Sequence, residues 1–243
     1  MRVCAVIPAA GRGTRLGLDR PKILSPLTAT QTIWSVLYAR LSPLVDHIHL
    51  VLSPEGAGQF PSLPANVSTS LQPAPIGMGD AVFRGYPVWS AYDAILVIWG
   101  DQVFVSPDTL KRTLATMTSP DRHIVLPLAR MDAPYVDYVF DGDRLANVLQ
   151  SREGDACRPG GLSDVGTFLL GTGGLKEAWE AYRADAPRGG ATAEVNFLPF
   201  LPYLSTQGWR ILPLAVADPI EARGVNTAQD LAFFQSLYGG DAP

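Results

Sequence analysis

Residues Ala94–Asp101 read AILVIWGD, and this stretch decides the fold. Ala94 to Trp99 is an unbroken apolar run with no in–out alternation. A strand of that kind is buried on both faces, as in the centre of a parallel sheet covered by helices. It stops abruptly at Gly100-Asp101; taken alone, an aspartate just after a strand reads as a turn or helix-cap residue. Upstream, Val3–Ile7 is a second buried strand, ended by Pro8, and Asp46–Leu52 and Val67–Leu71 are further strands. Helical spacing predicts helices over Gln31–Leu41, over Gly79–Ser90 with a kink or end at Pro87, and over Asp108–Met117. His123–Ala129 follows as a strand. This alternation is the signature of an α/β fold with helices on both faces of the sheet.

After residue 134 the pattern changes. Tyr135–Phe140 and Arg144–Gln150 flank Asp141-Gly142-Asp143, a hairpin turn. Val165–Leu170 and Trp209–Val216 read as strands. Leu175–Arg183, Glu194–Ser205 and Thr227–Leu237 read as helices. These are expected to add to the same sheet, with Asp155–Leu162 as a mobile loop and Phe197–Leu204 as core packing.

Composition narrows the function classes. The chain has 243 residues, 47% of them hydrophobic and 17% charged, enough for a large core. The net charge of −4 argues against a whole-surface nucleic-acid binder but leaves room for a local basic pocket. Cys4 and Cys157 are too few for a disulfide framework or a zinc site. No secretory signal or membrane-spanning run is evident, so a cytoplasmic location without membrane contact is expected. His47 and His49 form an H-x-H pair with no evident third metal ligand, and no G-x-S-x-G elbow occurs.

The loop after the first strand, Ala9-Ala10-Gly11-Arg12-Gly13-Thr14-Arg15-Leu16-Gly17, leads to Pro21-Lys22. The dinucleotide fingerprint needs Gly where Leu16 stands, and the P-loop needs Lys where Leu18 stands, so both fail on spacing. Glycines still let backbone N–H groups approach phosphate oxygens, and Arg12, Arg15 and Lys22 concentrate positive charge in an acidic protein. On composition alone a solvated glycine turn with incidental arginines explains the loop equally well.

The stretch VIPAAGRGTRLG…PK, Val6 to Lys22, resembles the signature of sugar-phosphate nucleotidyltransferases, nearest to the N-acetylglucosamine-1-phosphate uridyltransferase domain. Three further segments match in order: Gln72 with the turn Gly77-Met78-Gly79-Asp80-Ala81, the strand end Gly100-Asp101, and Gly224-Val225-Asn226. The likeness spans residues 3 to about 237. It implies a Rossmann-like, mostly parallel mixed sheet of the nucleotide-diphospho-sugar transferase kind, with a small β-hairpin added on the acceptor side. Residues 1–243 would form one domain, 1–130 its nucleotide-binding half and 131–243 its acceptor half.

The resemblance also implies roles. The loop residues Ala9, Ala10, Gly11, Gly13 and Thr14, with Gly100, would cradle the nucleotide. Arg15 and Lys22 would neutralise the phosphates as catalytic cations. Gln72 would hydrogen-bond the base and Gly77 would let it approach the backbone. Asp101 and Asn226 would hold Mg²⁺. On the acceptor side, Gln150 stands where the nearest relatives carry Glu, Val165 stands in place of a sugar-contacting Asn, and Met78 replaces a Thr. Gln150, Thr167 and Glu194 are the candidate acceptor residues. The partners expected are a nucleoside triphosphate, UTP favoured, and a sugar-1-phosphate-like acceptor. Cytidylyl or guanylyl transfer to a cyclitol phosphate, other small phosphate or phosphonate is the alternative, with a non-catalytic nucleotide sensor as another. The chain is expected to lack the hexapeptide-repeat acetyltransferase half of the bifunctional bacterial enzyme.

Overall fold

The computed structural model describes residues 1–11, 20–60, 62–74, 76–190 and 194–239. Ten strands are present among them: β1 Val3–Pro8, β2 His47–Leu52, β3 Val67–Leu71, β4 Ala94–Ile98, β5 His123–Met131, β6 Val136–Asp141, β7 Arg144–Gln150, β8 Gly161–Asp164, β9 Thr167–Gly171 and β10 Arg210–Val216. The helices are α1 Ile33–Leu41, α2 Pro54–Ala57, α3 Met78–Arg84, α4 Tyr86–Trp89, α5 Pro107–Thr116, α6 Leu175–Asp185, α7 Phe200–Thr206 and α8 Ala228–Gly239.

An eight-stranded sheet runs in the order β3-β2-β1-β4-β9-β5-β10, with β8 also paired to β5. Only β8 and β9 run against the rest; β1 pairs in parallel with β2 and β4, β2 with β3, and β5 with β10. β4 is central and fully buried, as its continuous apolar run requires. Ala94, Leu96 and Ile98 face a core built with α1, α5 and α8. Ile95 and Val97 face the opposite core, built with α3, α4, α6, α7 and the β6–β7 hairpin. The mostly parallel α/β sheet with helices on both faces is therefore the architecture observed.

Four local differences from the sequence reading have plain causes. Gly85 ends α3, and Pro87 sits in the first turn of α4, so Pro87 opens a second helix instead of kinking one. α7 starts only at Phe200, because Pro199 is its N-cap and Pro202 is accommodated within the first turn, where a missing N–H is harmless. Gly161–Asp164, whose first two residues the sequence reading places in the mobile loop, forms β8. The register against β5 steps by two residues across Val165 and Gly166, which separates β8 from β9. Finally, β6 and β7 form their own two-stranded sheet rather than extending the main one.

Candidate functional site

The carboxyl ends of β1, β3 and β4 open into one cavity of about 240 Å³. β1 contributes Pro8 to Gly11, the turn after β3 contributes Gln72 and Gly77, and β4 runs into Trp99, Gly100 and Asp101. Lys22 and the first turn of α3 complete the near side. Arg152 and Glu194 reach it from the other half of the chain. Gly100 is dictated by packing: a Cβ there would lie 3.1 Å from the Pro8 carbonyl and 3.4 Å from the Ala9 Cβ. Ala9 is pinned, since its N–H donates to the Val51 carbonyl at 2.8 Å, so its amide is not free for a phosphate. Gly13, Thr14 and Arg15 lie outside the described residues.

Three distant segments meet at the mouth. Pro21 and the buried Ile23 fix the short 3-10 turn Lys22–Leu24, and Lys22 Nζ projects from it to Asp101 Oδ2 at 2.7 Å. The same ammonium donates to the Val225 carbonyl at 3.1 Å. The Val225 N–H in turn donates to the Asp101 carbonyl at 3.0 Å. Asn226, exposed and next in the chain after that contact, does not itself line the cavity, and its own N–H is capped by Asp230. Gly224 keeps the space open, for a Cβ there would stand 3.3 Å from Asp101 Oδ1. Among the described residues no three His, Cys, Asp or Glu side chains cluster as a cation cage. His47 and His49 instead share the Ser68 hydroxyl, at 2.7 and 2.8 Å.

Gln72 is buried, and its amide nitrogen donates twice, to the Gly77 carbonyl at 3.0 Å and to Asp80 Oδ2 at 2.8 Å. Both amide hydrogens are taken. Among the described residues no donor reaches Oε1, which is the atom left for a ligand. Gly77 has φ +128°, and a Cβ there would meet the Val195 carbonyl at 3.0 Å, so glycine is required on both counts.

Gln150 and Thr167 do not line the cavity. Gln150 ends β7, where its N–H donates to Asp155, and Thr167 is buried with its hydroxyl unpartnered. Val165 is core. Arg152, two residues beyond Gln150, reaches the cavity as a second basic group beside Lys22, and sequence reasoning missed it. The segment carrying it is tethered at Asp137, a buried carboxylate that accepts from Arg158 Nε at 2.6 Å and from the N–H groups of Arg158 and Leu162. The Arg158 hydrogen bond holds the Asp137 carboxyl below the usual range. Burial pushes Glu194 upward, against the pull of Arg152. Beneath the site lies Asp164, buried, accepting from Gly166 N–H at 2.7 Å and from the Tyr138 hydroxyl at 3.1 Å.

Residues 5–192 match the model of the MobA-like NTP transferase domain, well over half of the chain. The chain belongs to that family. Residues 5–192 of this MobA-like NTP transferase domain hold β1, Lys22, Gln72, Asp101 and Arg152, whereas Glu194 and Asn226 fall beyond the matched stretch. A solved structure from Bacillus anthracis, described as a glucose-1-phosphate thymidylyltransferase in complex with sucrose, superposes with a TM-score of 0.74 at 15% identity. The match covers 97% of this chain and 94% of that one, which shows a shared fold. No described helix of the MobA-like chain is long and apolar enough to cross a membrane.

The buried carboxylate in this MobA-like domain makes a pH prediction. Burial is the main cause that raises Asp164 to about 6, above its unfolded value near 3.9. A raised carboxylate pKa means the folded state binds more protons between about pH 4 and 6. This group therefore costs stability as pH rises through that window, of order 3 kcal/mol above it. His49 acts oppositely, since burial lowers it to about 4 and folding is weakened as pH falls below the unfolded value. The wild-type profile mixes the two, so the difference between Asp164→Asn and wild type is the clean observable. Denaturant melts should show no gain for Asp164→Asn near pH 4 and a gain that grows toward pH 7. A difference that stays flat with pH would contradict the assignment.

Proposed function

We propose that this chain is a Mg²⁺-dependent nucleotidyltransferase that joins a nucleoside triphosphate, UTP favoured, to a sugar-1-phosphate-like acceptor. The observation that carries the reading is the junction at the cavity mouth: Lys22 Nζ 2.7 Å from Asp101 Oδ2 and 3.1 Å from the carbonyl preceding Asn226. An acceptor phosphate oxygen forms the new bond to the α-phosphorus. The bond from that phosphorus to the bridging oxygen breaks, and its electrons leave with pyrophosphate. Two anions must be brought together, so positioning and charge neutralisation do most of the work and no protein nucleophile is needed.

Ala10, Gly11 and Gly100 line the cavity on the side assigned to the triphosphate, and Gly13, Thr14 and Arg15, outside the described residues, keep the phosphate roles that the resemblance implies. Lys22 supplies a point charge on a flexible stem beside the reacting phosphate. Asp101 Oδ1, kept clear by Gly224, and the exposed Asn226 amide would hold the cation. This donor set suits a hard ion that completes its shell with substrate oxygens and water. When bound, the ion supplies charge neutralisation and electrophilic assistance to the phosphate oxygens. On the acceptor side, Arg152 meets the second phosphate and Glu194 takes hydroxyls, against the aromatic wall of Trp99, which packs on Phe168 and Phe197. Residues 1–130 thus handle the nucleotide and 131–243 mainly the acceptor.

Gln72 Oε1 accepts a ring N–H from the base. Uracil has one at N3, which supports UTP. Guanine has one at N1, which makes guanylyl transfer the second reading.

The deciding experiment is pyrophosphate release across UTP, dTTP, GTP, CTP and ATP against hexose-1-phosphates, a cyclitol phosphate and a phosphonate, with and without Mg²⁺. Release with UTP and a hexose-1-phosphate, lost on chelation, is expected. Binding of triphosphates with no release in any combination would instead mark a sensor. Gln72→Ala should change the ratio of rates among triphosphates by about tenfold, the worth of one buried hydrogen bond with its unpaired partner, and leave acceptor ratios nearly unchanged. Unaltered discrimination among triphosphates would remove Gln72 from the base site.

A further inference from the structure

Gln72 does not hold its orientation alone. Asp80, in the first turn of α3, places Oδ2 2.8 Å from Gln72 Nε2 and 2.6 Å from Arg84 Nε. Turning the amide over would set Gln72 Oε1 against both the Asp80 carboxylate and the Gly77 carbonyl, two acceptors facing an acceptor, while leaving the amide hydrogens without these partners in a buried site. An i,i+4 ion pair with Arg84 and an acidic residue in a first helical turn are ordinary surface devices. Neither explains why the same oxygen also receives Gln72.

We infer that Asp80, braced by Arg84, is a positioning residue for the nucleobase: it locks the Gln72 amide so that only a carbonyl oxygen meets the base, which favours bases with a ring N–H over cytosine. Cytosine presents a bare ring nitrogen where uracil, thymine and guanine present a donor, so acceptor would face acceptor. This rests on the reading of Gln72 as the base contact and adds a residue that enforces the choice.

The test is calorimetric titration of the full chain with UTP, dTTP, GTP and CTP in Mg²⁺ buffer without acceptor. Wild type should bind CTP at least about tenfold more weakly than UTP, and Asp80→Ala should narrow that ratio at least about fivefold, the size of one hydrogen bond. Alanine favours the helix, so α3 should persist, as circular dichroism will check. A merely structural role would weaken all four triphosphates by one factor and preserve the ratio, which would overturn the inference. A second arm keeps it testable if Asp80→Ala misfolds. Gln72→Glu sets two carboxylates together and should weaken UTP binding. Adding Asp80→Asn supplies an amide donor to Glu at 72 and should restore at least about tenfold, a coupling that additive damage cannot produce. A double variant weaker than both singles would overturn the inference, as would a wild-type chain that binds CTP as well as UTP. If Gln72→Ala keeps the wild-type ratio, the base-site reading itself fails. If Gln72→Ala abolishes the ratio and Asp80→Ala keeps it, only the role of Asp80 fails.

Discussion

Turnover of the Asp101→Ala chain is expected to fall at least about 100-fold, and that of Lys22→Ala by a similar factor, the scale of losing one group that stabilises developing phosphate charge. Both residues are partly exposed at the cavity mouth, with side chains 17% and 25% accessible, so neither holds the core together. The main-chain bond from Val225 N–H to the Asp101 carbonyl survives either substitution, which keeps Asn226 near its place. Removing the Asp101 carboxylate deletes the only charged donor proposed for the cation. Removing Lys22 deletes a cation that bridges Asp101 and the Val225 carbonyl. Pyrophosphate release measured beside far-UV circular dichroism separates lost chemistry from lost fold. Near-normal rates in both variants would refute the roles assigned to them.

The largest loss of stability is expected from Trp179→Ala. Trp179 is buried between α6 and α3, stacked on Phe83 at 4.9 Å and edge-on to Phe200 at 5.1 Å. Its ring occupies the space that Gly79 leaves free: a Cβ on Gly79 would lie 2.0 Å from Trp179 Cη2. Truncation leaves a ring-sized void in a stack that cannot collapse around it, a loss of about 3–5 kcal/mol. For a chain of this size that corresponds to a fall in Tm of roughly 10 °C. Thermal melts check it, and a fall of under about 3 °C would show that the stack repacks. Because α3 begins at Met78, directly after Gly77, and carries Asp80, triphosphate affinity should drop as well. Gly79→Ala, ordinarily favourable in a helix, should also destabilise while Trp179 is present.

Much of the fold was legible from the sequence because burial leaves a pattern. AILVIW is apolar at every position because β4 is covered on both faces, and Gly100-Asp101 ends it where a ligand-binding crevice belongs. β8 left no such pattern: Gly161-Leu162-Ser163-Asp164 is short, follows a run of turn-forming residues, and gains its strand pairing from β5 alone. The start of α7 was misplaced because Glu194-to-Leu198 carries apolar residues at helical spacing, yet the chain turns helical only once Pro199 has capped it. At the site, Lys22, Gln72 and Asp101 could be found because they stand in short ordered motifs. Arg152 could not: it lies in a short turn after a hairpin, where the neighbouring Ser151 is anchored on the Tyr135 carbonyl, and nothing in the local sequence points it at the cavity. The link from Asp80 to Gln72 was equally hidden, since a helix-start acid eight residues from a glutamine has no sequence signature.

Among the described residues the β6–β7 hairpin pairs strand to strand only with itself, and its hydrogen bonds to the eight-stranded sheet run through the side chains of Asp137 and Tyr138. A strand inside the sheet cannot gain or lose a residue without turning its side chains to the wrong face. The paired stretches of the hairpin obey the same constraint, because Val136, Tyr138, Leu145 and Val148 fill the core, but its exposed tip does not. That tip, residues 141–143, can therefore lengthen, shorten or be exchanged while β4 keeps Asp101 in place, which makes it the natural graft point on the hairpin side of the molecule.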